Sequence, residues 1–392
     1  MKITLIGPTY PFRGGLAHHT TLLCRALRRR HEVLFISFSR QYPRLFFPGR
    51  SDIDPSREPL TADPVERLID SMNPVTWVRA ARKIARFSPA MIVIPWWVTF
   101  WAPLDLTLTA LLKRRGRPEI VFLCHNVVEH ERHPFKAWIT RLVLRRADRV
   151  VIHSQEEAAR ARALLGPRHK RDIMTGFVPT YAPLGGQGLS REEARAGLGL
   201  APDRFILLFF GFVRPYKGLD LLIDALAQVR AGLPVELLVV GEFWDERRRY
   251  ERMIERLGLG EAVRIVDRYV PNEMIEPYFA AADLVVQPYR SLSGSAVCQL
   301  AYGLGRPVIA TDVGSLSEVI EDGVNGRLVP AGDASALAVA IRESLDPRTL
   351  AALTLGARAT PERFTWDRLA DLIAADPAGP LASRSPGSGS GG

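Results

Sequence analysis

The feature that most constrains the fold is a series of short, continuously apolar segments that alternate with longer segments of helical character. Continuous apolar runs are typical of strands buried on both faces, and strands that alternate with helices are typical of parallel sheets. The candidate strands are KITLIG, HEVLFIS, AMIVIPWW, EIVFLCHN and RVVIHS before residue 155, and RFILLFFG, VELLVVG, AVRIVD, DLVVQPY and PVIATD after residue 203. The pattern therefore predicts an α/β fold with two doubly wound parallel sheets.

A segment rich in glycine and proline, TGFVPTYAPLGGQGLS, separates the two series and predicts a domain boundary. We expect an N-terminal Rossmann-like domain over residues 1–180, a linker over 181–190, a C-terminal Rossmann-like domain over 191–355, a C-terminal helix over 356–376 that could cross back to the first domain, and a disordered tail over 377–392. Because ligands of open parallel sheets bind beyond the carboxyl ends of the strands, the cleft between the two domains is the expected site.

The formal net charge of +10 favours negatively charged partners such as nucleotides, phosphates and anionic lipids. No nucleic-acid-binding motif accompanies this charge, so we expect no nucleic-acid partner. The three cysteines are far apart, which argues against a disulfide framework and fits a reducing compartment. The N-terminus reads as a strand and not as a signal peptide, and prolines interrupt the apolar segment 91–112. We therefore predict a cytoplasmic protein, with peripheral binding to the inner face of a membrane as an option.

Two strand-to-helix turns carry residues suited to a diphosphate. Gly14 and Gly15 would let the backbone approach an anion at the start of a helix, although paired glycines also occur there for packing alone. Arg214 and Lys217 follow the first strand of the second series and offer a forked donor and a point charge. The alternative for this second pair is a solvated basic turn.

Two further turns strengthen the prediction of an anion site. Ser293, Gly294 and Ser295 begin a helix and could hold a phosphate through backbone N–H groups and hydroxyls, although the same residues also serve as an ordinary helix cap. Glu318 follows Gly314 in the segment TDVGSLSEVI, where a surface glutamate would be equally ordinary. Taken together, the four turns predict that the protein binds a nucleotide diphosphate.

The chain resembles the GT-B fold glycosyltransferases, specifically the retaining glycosyltransferase family 4 (group 1), over nearly its whole length. The motifs that carry the resemblance are PFRGGLAHHTTLL, RHEVLFIS, FLCHNVVEHE, GFVRPYKGLDLLIDAL, LLVVGE, YVPNEMIEPYFAAADLVVQPY and GRPVIATDVGSLSEVIEDGVNGRLVPAGD. The resemblance implies a hexosyltransferase that moves a sugar from a nucleotide-diphosphate sugar to a hydroxyl of a glycan or lipid-linked acceptor. It further implies that the anomeric configuration of the sugar is retained, that the N-terminal domain binds the acceptor and that the C-terminal domain binds the nucleotide sugar. The nucleotide sugar would be a co-substrate, and no cofactor or metal would be required.

The resemblance also assigns roles to individual residues. Arg214 and Lys217 would neutralise the leaving diphosphate, and His125 would lie near the reacting sugar. The family usually carries two glutamates eight positions apart that bind hydroxyls of the donor, and this chain has Leu292 and Leu300 at those positions.

The loss of both glutamates implies that this chain binds the sugar of the donor through residues other than those the family usually uses. Gln299 and Tyr302 could compensate on the same helix, and Glu318 and Tyr289 are further candidates for contact with the sugar or nucleoside. The same loss supports an alternative function, a non-catalytic nucleotide-sugar-binding or scaffolding subunit.

An aromatic segment marks a candidate surface for the acceptor or a membrane. Trp96, Trp97, Phe100 and Trp101 follow a strand and have arginine-rich helices nearby in the sequence, and Glu131 is a further acceptor candidate. The alternative is that the tryptophans pack the core.

Histidines occur in two segments. His18 and His19 open the first helix and could contact the acceptor, or could lie on the helix surface. The segment CHNVVEHERH combines histidines with two acids in a predicted turn, which is a poor match to zinc sites. We therefore predict no metal.

Overall fold

The computed structural model describes residues 1–43, 51–113, 118–127, 134–166, 172–186, 188–292 and 294–375. The chain divides into two compact units. The first unit is drawn from Met1–Phe47, Thr61–Phe177 and Trp366–Gly392, and the second from Pro48–Leu60 and Val178–Thr365. The predicted tail over 377–392 lies outside the described residues.

The first unit is built on a parallel sheet. Its described strands are β1 (Lys2–Ile6), β2 (Glu32–Arg40), β3 (Glu66–Asp70), β4 (Met91–Trp96), β5 (Glu119–Cys124), β6 (Arg149–Ile152) and β7 (Asp172–Thr175), in the order β3-β2-β1-β4-β5-β6-β7. The described helices that alternate with them are α1 (Gly15–Arg28), α2 (Pro74–Phe87), α3 (Ala102–Leu112), α4 (Pro134–Leu144) and α5 (Gln155–Leu165). Apolar side chains cover both faces of this sheet, which explains the continuous apolar runs in the sequence.

The second unit has the same architecture. Its described strands are β8 (Phe205–Phe210), β9 (Val235–Val240), β10 (Val263–Val266), β11 (Leu284–Gln287), β12 (Val308–Thr311) and β13 (Gly326–Val329), in the order β10-β9-β8-β11-β12-β13. Its described helices are α6 (Arg191–Leu198), α7 (Leu219–Arg230), α8 (Arg247–Arg256), α9 (Ile275–Ala281), α10 (Ala296–Gly303), α11 (Ala334–Ser344) and α12 (Pro347–Ala359). The predicted fold class, two doubly wound parallel sheets, is confirmed.

Three strands were not expected from the sequence: β3, β7 and β13. Each lies at the edge of its sheet, where a strand has a neighbour on one side only. Their side chains are correspondingly less buried, and only one or two residues of β3 and β13 and none of β7 are fully enclosed. These three edge strands therefore lack the continuous apolar run by which the inner strands were recognised, whereas the fourth edge strand, β10, was predicted from its segment AVRIVD.

The unit boundaries differ from the expected domain boundaries in two places. Residues 51–60 belong to the second unit, where the Ser56 Oγ accepts a hydrogen bond from the backbone N–H of Asn272 at 2.9 Å. The expected linker over 181–190 lies within the second unit, where Ala182 is so close to Gly303 that an added Cβ on Gly303 would be 2.5 Å from the Ala182 nitrogen.

The last described helix, α13 (Trp366–Ala374), belongs to the first unit and packs against α1. Leu369 and Ile373 enter the apolar layer beneath α1, and Arg30 forms two hydrogen bonds with the Asp371 carboxylate at 2.6 and 2.8 Å. None of the described helices is both long enough and apolar enough to span a bilayer.

Candidate functional site

The turn after β8 carries a pair of cations. Arg214 is extended, and Pro215–Lys217 form one turn of 3₁₀ helix that leads into α7 through Gly218. Gly218 has φ +68°, and a Cβ there would lie 2.0 Å from the carbonyl oxygen of Pro288. Because no other residue fits this close approach, the glycine fixes the path of the turn and with it the direction of the Lys217 side chain.

Lys217 is the more unusual of the two cations, because its side chain is buried at 8% exposure. The Nζ atom lies 5.5 Å from the ring centroid of Tyr289, and an added Cβ at Gly211 would be only 3.1 Å from it. Burial, with a further contribution from the neighbouring Arg214, lowers the pKa of the ammonium group to about 8. The amine is therefore charged at pH 7 but poorly solvated.

Arg214 is held by an aromatic ring. Its guanidinium carbon lies 4.2 Å from the ring centroid of Trp244, a distance at which cation–π attraction is substantial. The Trp244 Nε1 in turn donates a hydrogen bond to Glu242 at 3.0 Å. Within the described part of the chain, neither Arg214 nor Lys217 forms an ion pair. The turn thus presents two positive charges that no described acid pairs with.

The start of α10 is capped by Ser295. Its Oγ accepts a hydrogen bond from the backbone N–H of Cys298 at 3.1 Å and donates one to Gln287 at 2.7 Å. The hydroxyl is therefore used by the fold, and any phosphate at this helix would be held by backbone N–H groups. Gly294 is half-buried beside the Ser315 hydroxyl, and Ser293 lies outside the described residues.

The residues proposed to replace the family glutamates differ in their surroundings. Tyr302 is buried and hydrogen-bonds through its hydroxyl to Asn325 at 3.1 Å, so it is committed to the core and cannot compensate. Gln299 is also buried, but neither atom of its amide has a hydrogen-bond partner among the described residues. Leu300 is buried, and Glu318 is exposed at the end of a short 3₁₀ turn.

In the first unit, α1 begins at Gly15 with Gly14 as its N-cap. No side chain caps this end, no acid lies in the first turn, and the space around a Cβ at Gly14 is open. The contact of Gly14 and Gly15 with a diphosphate stays a prediction.

His125 lies at the carboxyl end of β5, where its backbone N–H donates to the carbonyl of Trp96 at 2.8 Å. Its ring packs against two further imidazoles, with ring centroids 4.5 Å from His19 and 4.8 Å from His153. Burial lowers the pKa of all three, that of His153 to about 4, and the mutual repulsion of the rings lowers those of His19 and His125 further. All three are neutral at pH 7.

Sequence reasoning missed this cluster of three histidines. His19 was expected on the surface or at the acceptor, and it is buried; His153 was not singled out at all. The signal was available in the strand order, because β5 and β6 are neighbours and each is followed directly by a histidine.

The aromatic segment is mostly core. Trp96 and Trp101 are 1% and 2% exposed and lie within the apolar cluster of the first unit, so the prediction that they contact an acceptor or membrane is wrong. The half-buried Trp97 donates through Nε1 to the Tyr42 hydroxyl at 3.0 Å, and Phe100 is exposed. Glu131 lies outside the described residues.

Two family models match the chain. Residues 13–180 match the model described as Glycosyltransferase Family 4, and residues 204–346 match the model described as Glycosyl transferases group 1. Each match contains one set of residues described above: the three histidines in the first, and the cation pair in the second.

Curated relatives carry similar descriptions. A D-inositol 3-phosphate glycosyltransferase of Geodermatophilus obscurus is 33% identical over 244 residues, which are 59% of this chain and 53% of that protein. A D-inositol 3-phosphate glycosyltransferase 1 of Catenulispora acidiphila is 35% identical over 243 residues, which are 59% of this chain and 57% of that protein. The chain thus matches little more than half the length of these relatives.

Solved structures share the fold. HepE of Anabaena, determined in complex with UDP and glucose, aligns with a TM-score of 0.73 at 22% identity and covers 95% of this chain and 98% of that one. A sucrose-phosphate synthase of Thermosynechococcus elongatus aligns with a TM-score of 0.69 at 22% identity, over 95% and 97%. At this identity the likeness shows the fold alone, and it agrees with the predicted GT-B fold.

Proposed function

Because the chain belongs to the group 1 glycosyltransferases of family 4, we propose that it transfers a sugar from a nucleotide-diphosphate sugar to a hydroxyl of an acceptor. The observation that carries this proposal is the buried ammonium of Lys217 beside Arg214, with no ion-pair partner in the described part of the chain. A buried charge without a counter-charge destabilises a protein by several kcal/mol unless a ligand supplies the opposite charge. The diphosphate of the donor would be that ligand.

The cation pair accounts for the reaction as well as for binding. When the bond between the sugar and the diphosphate breaks, negative charge grows on the leaving phosphate oxygen. Two cations fixed at that point stabilise the transition state more than the ground state, and removing one such group typically costs about 3 kcal/mol. Tyr289 and Trp244 hold the two side chains in place, so little reorganisation is needed during the reaction.

His125 is proposed to lie at the reacting sugar. Its pKa is well below the ordinary value because of burial and the nearby His153, so its ring is a neutral hydrogen-bonding group at pH 7. A neutral imidazole can hydrogen-bond a sugar hydroxyl without acting as a nucleophile. Retention of configuration, which the family implies, would then follow from attack of the acceptor on the same face that the diphosphate leaves.

The donor and acceptor are proposed from the relatives. The HepE structures contain UDP and UDP-glucose, which supports a UDP-sugar as the first donor to test. The relatives named D-inositol 3-phosphate glycosyltransferases support a phosphorylated cyclitol as acceptor, beside the glycan or lipid-linked acceptor expected from the sequence. A cytoplasmic location, and binding at the inner face of a membrane, remain part of this proposal.

The test is release of nucleoside diphosphate from UDP-, GDP- and ADP-sugars in the presence of inositol 3-phosphate or a lipid-linked glycan. The double variant Arg214→Ala/Lys217→Ala is expected to lower kcat by about 100-fold or more. The matched control is Lys83→Ala/Arg252→Ala, which removes the same two charge types from exposed ion pairs. Unchanged turnover in the first double variant would refute the assigned role.

A non-catalytic nucleotide-sugar-binding subunit is the second candidate. It is favoured by one observation, the presence of leucine at both positions where the family carries donor-binding glutamates, with Leu300 enclosed in the core. Calorimetric titration separates the two functions. Binding of a nucleotide sugar that leads to no diphosphate release with any acceptor would support the second candidate.

A further inference from the structure

Three imidazoles from three separate elements meet in the first unit. His19 comes from α1, His125 follows β5 and His153 follows β6. One ring nitrogen from each can be chosen so that all three atoms lie within 4.8 Å of one another. Trp366 closes one side of the group, with its ring centroid 4.9 Å from that of His19.

Four of the six ring nitrogens of this cluster form no hydrogen bond with the described residues. Both ring nitrogens of His19, the Nε2 of His125 and the Nε2 of His153 are buried and have no hydrogen-bond partner among the described residues. Buried polar atoms are nearly always paired, so four unpaired nitrogens in one place require an explanation. A bound ligand that accepts one lone pair from each imidazole would account for three of the four, one nitrogen on each ring.

The tautomer of His153 favours a cation as this ligand. The Nδ1 lies 2.8 Å from the carbonyl oxygen of Phe177, which can only accept, so Nδ1 carries the proton and Nε2 carries the lone pair. A histidine that ligates a metal typically donates its other N–H to a carbonyl in this way. The ring is thus already oriented as a ligand.

The composition of the cluster selects the class of metal. Three neutral imidazoles suit Zn²⁺ and neighbouring divalent transition metals, whereas Mg²⁺ and Ca²⁺ prefer oxygen ligands. His125 is only partly buried. With three protein ligands, a tetrahedral metal would keep one position open.

We propose that His19, His125 and His153 form a site for a divalent transition metal such as Zn²⁺, with three nitrogen ligands and one open position. Bonds of about 2.0–2.1 Å place tetrahedral ligand nitrogens about 3.3 Å apart, so binding draws the rings closer by rotation of the side chains. This site goes beyond the proposed transferase function. Because His125 is also the residue proposed at the reacting sugar, metal and substrate would compete for it.

The test uses the full chain, stripped with a chelator and dialysed. Zn²⁺ binding is measured by competition with a chromophoric chelator, and Co²⁺ is added as a spectroscopic substitute that absorbs strongly in the visible when tetrahedral. We expect one tight equivalent per chain and an intense Co²⁺ spectrum. Both His19→Gln and His153→Gln should weaken binding by about 100-fold or more, since even loss of a supporting hydrogen bond around a metal commonly costs 10–100-fold.

The matched control is His31→Gln, because His31 lies outside the cluster and should leave the tight site intact. Circular dichroism identifies any variant that fails to fold. For that case, nitrogen NMR of the wild-type imidazoles gives an independent readout, since metal binding shifts the ligating nitrogens of three histidines together. Absence of a tight equivalent in the wild type, or equal affinity in the folded cluster variants, would overturn the proposal.

Discussion

Replacing Lys217 with methionine should make the ligand-free protein more stable while it removes nucleotide binding. A pKa lowered from the ordinary 10.5 to about 8 corresponds to about 3 kcal/mol by which the buried charge destabilises the folded state at pH 7. The attraction to the Tyr289 ring offsets about 1 kcal/mol of this. Methionine keeps most of the packing, so we expect a net gain of about 2 kcal/mol for Lys217→Met.

The sign of the pH dependence identifies the cause. The folded amine binds its proton more weakly than the unfolded amine, so between pH 8 and 10.5 the unfolded chain holds more protons and wild-type stability rises with pH. The destabilisation by the charge should therefore shrink from about 3 kcal/mol at pH 7 to about 1 kcal/mol at pH 10. The advantage of the variant should largely disappear over the same interval.

The assay is urea unfolding followed by circular dichroism at pH 7 and pH 10, supported by calorimetry. A gain of 2 kcal/mol should raise the Tm of the second unit by roughly 4–8 °C at pH 7. The control Lys83→Met removes an exposed lysine paired with Glu66 and should change stability by less than about 0.5 kcal/mol. A variant that is less stable than wild type at pH 7, or a difference that does not shrink with pH, would refute the reasoning.

Two further results are expected from the same turn. The affinity for UDP should fall by about tenfold per pH unit above pH 8, because the anion binds the charged form of Lys217, and Lys217→Arg should flatten this profile in calorimetric titrations. A wild-type affinity independent of pH would contradict the role of the ammonium. Gly218→Ala should destabilise the protein by about 3 kcal/mol or more, because its Cβ would lie 2.0 Å from the Pro288 oxygen at a positive φ. The control Gly232→Ala, where the space around the Cβ is open, should be close to neutral in the same urea experiment.

Prediction from the sequence succeeded for strands that are buried on both faces of their sheet. Inner strands such as β4 and β5 are covered on both faces, so each appears as an uninterrupted apolar run that periodicity alone can identify. Three of the four edge strands, β3, β7 and β13, were not predicted, because the residues of a strand with a neighbour on one side only need not be apolar; β10, the fourth, has enough apolar residues to be predicted.

The turn that carries Arg214 and Lys217 was found for a similar reason. Its position after a buried strand and before a helix is local information, and so is the fixed proline between the two cations. What remained hidden was the burial of Lys217 under Tyr289, because the tyrosine is more than seventy residues away in the chain. The low pKa that follows from this burial could not have been predicted from the residues of the turn alone.

For the tryptophans, the local sequence pattern led to a wrong prediction. Trp96 and Trp101 lie at and just beyond the carboxyl end of a strand near basic helices, which is also the pattern of a membrane-contacting loop. Their burial was decided by the helices that pack over that edge of the sheet, and the sequence does not reveal which side chains a helix will cover.

The amino-acid sequence by itself determined the two parallel sheets, their alternating helices and the basic turn, because each depends on residues that are neighbours in the chain. Only the tertiary structure decided that His19, His125 and His153 lie together and that Lys217 is buried with no ion-pair partner among the residues that the structure describes. Crossover connections bring together residues that lie tens of positions apart, and burial then changes their chemistry. Proximity and desolvation are properties of the folded chain, and local patterns do not contain them.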